Sequence, residues 1–216
     1  MILAMRKLML LIPLTLLAQQ RPVPVDNEYA KVIIASTSPG PAGRPHKHDM
    51  NRVMIYLDKG AQTIGFANGA SKVINAVPGF VDFDPKGGMH TSQDTGGTTF
   101  RIVEIELKKD GGPVTYPKDD MVKVAPSIYT VELENNQVRV LRVKLAPHQQ
   151  VPEHEHMLPR VTVPVTEVNQ AITAPDGKKS TSQSKPGDAA FGGATRHREE
   201  NTLDHPVEYL IVEFKG

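Results

Sequence analysis

The chain has 216 residues, room for one large domain or two of about 100 each. Its 25 Lys and Arg against 24 Asp and Glu leave a net charge of +1, which gives no electrostatic footprint for nucleic acid or for an acidic surface. The absence of Trp argues against a sugar- or base-stacking platform, and the absence of Cys removes disulfides, Cys-linked lipid and thiol chemistry.

Arg6 and Lys7 precede an apolar run, Leu8 to Leu17, and Ala18 offers a small residue for cleavage. That run suits the core of a signal peptide over residues 1–18 and falls short of the roughly 20 residues a spanning helix needs. An uncleaved anchor is the alternative. Export to a periplasmic or extracellular compartment, with no membrane association after cleavage, is the expectation. With no cysteine, the exported fold must rest on its core alone.

After a proline-rich lead, Lys31 to Thr37 is β-branched and predicts a strand. Pro39 to Pro45 predicts a turn, then a strand runs from Arg52 to Leu57 and ends at Asp58-Lys59-Gly60. Gln62–Phe66 and Lys72–Val77 flank the hairpin dipeptide Asn68-Gly69. Pro78-Gly79 opens a run to Phe83, a glycine-rich bend covers Pro85 to Gly88, and Thr98 to Leu107 alternates as a strand does. The polar, proline-containing stretch that follows predicts a linker over residues 111–126. Strands then recur at Ile128–Leu133 and Gln137–Leu145, a hairpin turn at Ala174–Gly177, a short run to Phe191, and a closing strand at Val207–Phe214. Short strands with turn signals and no amphipathic helix predict an all-β sandwich or barrel in each half, residues 26–110 and 127–216.

Histidine placement sharpens this. His46 and His48 are two apart, so in a strand both imidazoles share one face. His154, His156 and Arg160 each lie 108 residues after His46, His48 and Arg52. His90 and His197 follow the two pairs at nearly the same spacing, so six of the eight histidines occupy three repeated positions. Neutral imidazole is the commonest protein metal ligand. Facing strands of a barrel can bring such a pair and a distant third to one point.

These residues resemble the cupin family of small jelly-roll barrels. Its first motif, G-x5-H-x-H followed by a glutamate and a glycine, is matched by Gly40, His46, His48 and Gly60. Its second, G-x5-P-x-G-x2-H-x3-N, is matched by Gly79, Pro85, Gly87 and His90, with Asp94 in place of Asn. The second half keeps Gly187, His197 and Asn201 and loses the P-x-G step. The chain is similar to a bicupin, which implies two tandem jelly-roll barrels. The departure is the glutamate ligand: Arg52 or Val53 stands in its place in the first half, Arg160 or Val161 in the second. The valine alternation at 161, 163 and 165 favours valines inside and arginines outside; inward arginines would bring Met54 and Tyr56 with them.

Three readings follow. One is an exported bicupin that binds a small anionic ligand, with Arg52 and Arg160 forming bidentate bonds to a carboxylate or phosphate. Another is a metal-dependent enzyme, dioxygenase or isomerase in style, with His46, His48, His90, His154, His156 and His197 holding Fe, Mn, Zn or Cu. The third is a structural protein with filled cavities. Glu153 and Glu155 are expected to face away from the histidines, Asp94 and Asn201 to serve turns, His148 and His205 to lie on the surface, and Met50, Met89 and Met157 to be ordinary core methionines. The expected partner is a small molecule, no nucleic acid is expected, and an oligomer is left open.

Overall fold

The computed structural model describes residues 21–216; the expected leader over residues 1–18 lies outside them. Numbered in chain order, the strands form four sheets. In the first half a five-stranded sheet runs β1 (Val25–Asp26), β2 (Ala30–Thr37), β9 (Phe100–Leu107), β4 (Arg52–Tyr56) and β7 (Phe80–Asp84). Against it lies a four-stranded sheet of β3 (His46–His48), β8 (Gly87–Asp94), β5 (Gly60–Phe66) and β6 (Ser71–Ala76). The second half repeats the pattern. Its five-stranded sheet runs β10 (Tyr129–Glu134), β11 (Val138–Leu145), β18 (Val207–Phe214), β13 (Arg160–Pro164) and β16 (Ala190–Gly192). Its four-stranded sheet runs β12 (Gln150–His156), β17 (Thr195–Asn201), β14 (Val168–Thr173) and β15 (Lys179–Ser184). All strand pairings in these sheets are antiparallel.

Alternation along β4 and β9 sorts side chains between two cores. Met54, Tyr56, Phe100 and Ile102 face Ile74 and Ala76 of the opposite sheet and fill the first barrel. Val53, Ile55, Leu57, Val103 and Ile105 face the other way and pack against Val138, Val140, Val161, Val163, Leu210 and Val212. The two five-stranded sheets therefore lie back to back over a shared apolar layer. Each such side chain buried there contributes roughly 1.5–3 kcal/mol of transfer free energy. Tyr129, Leu141, Val143, Tyr209 and Ile211 fill the second barrel.

This corrects the facing that valine alternation favours. The valines of β4 and β13 line the contact between barrels, so Arg52 and Arg160, one residue out of phase, point inward. The run from His46 through Val53 also divides. β3 belongs to the four-stranded sheet and β4 to the five-stranded one, with residues 49–51 crossing between them. The repeated glycines sit at this contact with positive φ, +80° at Gly79 and +91° at Gly187. A Cβ on Gly187 would come within 2.6 Å of Leu57 Cδ1 from the first barrel.

The stretch read as a linker carries a short helix, α1 (Met121–Val124), that sequence pattern did not predict. Asp120 caps it by accepting from Val122 N at 3.1 Å and is itself held by Arg139 Nη2 at 2.6 Å. Met121 is fully buried in the second barrel's core, so this stretch is packed structure.

Candidate metal centres

In β3 the pleat puts His46 and His48 on one side and Lys47 on the other, where it pairs with Asp49 at 3.2 Å. The antiparallel register sets His90 of β8 directly opposite His46. In the second barrel the same register sets His197 of β17 opposite His154 of β12. Ring centroids lie 4.5 to 5.3 Å apart in the first group and 4.7 to 5.1 Å apart in the second. In each group one nitrogen from every ring lies within 4.8 Å of the others. All six predicted histidines are thus brought together, three by three.

Backbone carbonyls fix how these rings face. His46 Nδ1 lies 2.9 Å from Arg44 O, His90 Nδ1 3.1 Å from Gly88 O, and His154 Nδ1 2.9 Å from Pro152 O. A carbonyl only accepts, so each Nδ1 carries the hydrogen and each Nε2 is left with a bare lone pair. The device is the same each time, a carbonyl two residues upstream. Burial holds three of the rings neutral as well. His48 is pushed down to about 4 by its desolvation, then by Arg52 and its two neighbouring imidazoles. Desolvation lowers His154 too, and takes His156 well below its ordinary value.

In the second group His154 Nε2 and His156 Nε2 stand 3.1 Å apart. Two nitrogens about 2.1 Å from a common ion are separated by about 3.0 Å at a right angle and about 3.4 Å at the tetrahedral angle. His156 Nδ1 is buried without a hydrogen-bond partner among the described residues. Three convergent imidazoles fit a first-row divalent cation such as Fe, Mn, Zn or Cu, with coordination positions left for a ligand.

The arginines divide the two sites. Arg52 donates from Nε to Asp84 at 3.1 Å and from Nη1 to Glu104 at 3.0 Å, so two carboxylates answer one guanidinium. Arg160 donates from Nη1 to Gly193 O at 2.5 Å and forms no ion pair among the described residues. Burial pulls its guanidinium below its usual value, although Glu213 and Glu199 nearby oppose that. The first cavity, about 140 Å³, is lined by the histidines, Arg52, Tyr56 and Phe66. The second, about 300 Å³, is lined by His156, His197, Arg160, Gln170, Glu199 and Tyr209, with His154 behind the wall.

Sequence reasoning missed Glu104, Asp84, Glu199 and Tyr129. Glu199 is fully buried and accepts from Tyr129 Oη, from Tyr209 Oη at 2.9 Å and from Gln170 Nε2 at 2.9 Å, and it lies 3.9 Å from His197 Nε2. Two residues after His197 on one strand it had to share that face, but the matching position, Ser92, is not acidic, so the repeat gave no signal. The remaining expectations hold their places, the methionines excepted. Glu153 turns to Arg196 at 2.8 Å, and Asn201 holds turns by donating to Ala146 O and His205 O. His148 pairs with Asp204 at the surface. Met50, Met89 and Met157 line neither histidine cavity, but they are not the core side chains expected: none is buried, and Met89, which alternates with the inward His90 on β8, is 46% exposed.

No protein-family model matches this sequence, and no curated protein matches it either. Solved structures do. AerE from Microcystis aeruginosa superposes with a TM-score of 0.65 at 8% identity, over 87% of this chain and 88% of that one. Oxalate decarboxylase from Bacillus subtilis, described with Mn(II) centres, gives 0.58 at 14% identity over 87% and 69%. A cupin 2 conserved barrel domain protein from Leptotrichia buccalis gives 0.55 at 10% identity over 91% and 88%. The chain has the bicupin fold. At these identities the likeness carries architecture and not activity. The details of the two sites are this chain's own: three convergent histidines per barrel, an inward arginine beside them, and a different answer to that arginine in each half.

Proposed function

We propose that this bicupin holds a divalent cation in each barrel and takes a small organic anion at the second centre. The supporting observation is Arg160, an inward guanidinium beside three convergent imidazoles with no carboxylate paired to it among the described residues. In the first barrel Asp84 and Glu104 already take up the Arg52 guanidinium, so it is not free to meet an outside anion. In the second, Arg160 and Glu199 cancel, so a dication there leaves positive charge that an anion completes. A cavity of about 300 Å³ matches the lower end of small-molecule sites.

When bound, the cation supplies Lewis acidity toward the anion and, for iron or manganese, one-electron chemistry. The chain's own residues do the rest. Arg160 orients a carboxylate through paired N–H donors, while Gln170 and Tyr209 hold Glu199 in place on the cavity wall. Manganese is the first metal to try and oxalate the smallest probe, since both are named in the Bacillus subtilis neighbour. Calorimetric titration of oxalate should show one site per chain in manganese-loaded protein and none in stripped protein. Equal binding with and without metal would overturn the reading.

A further inference from the structure

We propose that Tyr129 supplies a fourth protein ligand to the second centre, in place of the glutamate that cupins use. This rests on that centre holding a metal. Tyr129 comes from β10, at the far edge of the five-stranded sheet, outside both histidine motifs. It is buried, and its Oη lies 3.3 Å from His154 Nε2. That spacing falls inside the window of about 3.0 to 3.4 Å for two atoms bound to one ion.

Hydrogen bookkeeping points the same way. His154 gives its only hydrogen to Pro152 O, so its Nε2 is bare. Tyr129 has one hydrogen, and Glu199 Oε1 accepts it. A lone pair on the tyrosine oxygen therefore faces a lone pair on the imidazole across 3.3 Å, which is repulsive until a cation sits before both. On cation binding the O–H bond of Tyr129 breaks and one forms on Glu199 along the existing hydrogen bond. No electron changes hands, and the summed charge of Tyr129 and Glu199 stays the same. Tyr129 and His154 both lie behind the cavity wall, so this ligand leaves the cavity side open for the anion.

The duplication contains its own control. The residue 108 positions before Tyr129 is Arg21, whose Nη1 lies 3.4 Å from Glu104. A guanidinium cannot ligate, so the first centre has no counterpart and the two centres are different metal sites.

The test is ferric loading of the full chain. A phenolate bound to Fe(III) gives a visible charge-transfer band that imidazole ligands alone do not. The band is expected in the unsubstituted protein and in His46→Ala/His48→Ala, where only the second centre remains. Tyr209→Phe should keep it. Tyr129→Phe should lose it, and its iron affinity should fall by roughly tenfold or more. Should Tyr129→Phe fold poorly, resonance Raman of the unsubstituted protein decides: tyrosine ring modes must be enhanced on excitation in the band. Iron bound without a band, a band without tyrosine modes, or a band that survives Tyr129→Phe overturns the assignment. Failure of His46→Ala/His48→Ala to bind iron at all overturns the metal reading beneath it, and the two failures are distinguishable.

Discussion

Replacing Arg160 and Arg52 in turn by Met separates two roles for residues at matching positions of the repeat. Arg160 spends one donor on Gly193 O and leaves the rest to the second cavity. Truncating one partner of a buried, hydrogen-bonded charge pair costs 2–5 kcal/mol, and a site connected to solvent belongs at the low end, about 2–3 kcal/mol. That is a 30- to 150-fold loss, roughly, in affinity for oxalate. Stability should hold or rise, because burial of Arg160 is answered by no ion pair. Arg52→Met should do the reverse. Its guanidinium is taken up by Asp84 and Glu104, so oxalate affinity should move less than about twofold, while Glu104, left with only its long contact to the exposed Arg21, lowers stability by about 2–3 kcal/mol. Calorimetry on manganese-loaded variants reads the first effect and urea denaturation the second. Equal loss of affinity in both variants, or none in Arg160→Met, would refute the asymmetry.

Arg139 joins Asp120 and Glu213, each pair at 2.6 Å with all three side chains nearly inaccessible, so Arg139→Met strands two buried carboxylates. It should cost about 3–5 kcal/mol, read as a fall in Tm of about 6–20 °C, and Asp120→Asn/Glu213→Gln in the same background should recover much of it. Gly187→Ala places a side chain at φ +91° with its Cβ 2.6 Å from Leu57 Cδ1, and should destabilise by about 1–3 kcal/mol in urea titration. Arg101 holds the Asp58 carboxyl below its ordinary value through bonds of 2.9 Å. A lowered folded pKa means stability present above the unfolded value, about 4, and lost as pH falls through the folded one. Asp58→Asn should therefore lag the parent by at most about 1 kcal/mol at pH 7, with the gap closing in acid.

The fold was legible because duplication doubled the signal. Val207–Phe214 is predicted to the residue, since a run of eight with six apolar, mostly β-branched or aromatic residues between Pro206 and Lys215-Gly216 admits little else. β8 and β17, which carry the third histidines, were not predicted as strands. Residues such as Thr91, Ser92 and Gln93 have no apolar period, and their pairing is fixed by neighbours instead. The inward histidines could be read from spacing. The inward arginines could not, because β4 is buried on both faces and alternation cannot say which apolar set belongs to the barrel and which to its neighbour. Tyr129 and Glu199 break the repeat, so a method that looks for repetition passes over them. The pairs they form, and the lone guanidinium of Arg160, exist only once the sheets close.

Metal content after loading and gel filtration tests the central claim most directly. With manganese or zinc, elemental analysis should give two ions per chain, falling to one in His46→Ala/His48→Ala and to one in His154→Ala/His156→Ala. Unsubstituted protein that retains no ion, or variants whose content matches it, would show that these six imidazoles serve something other than a cation.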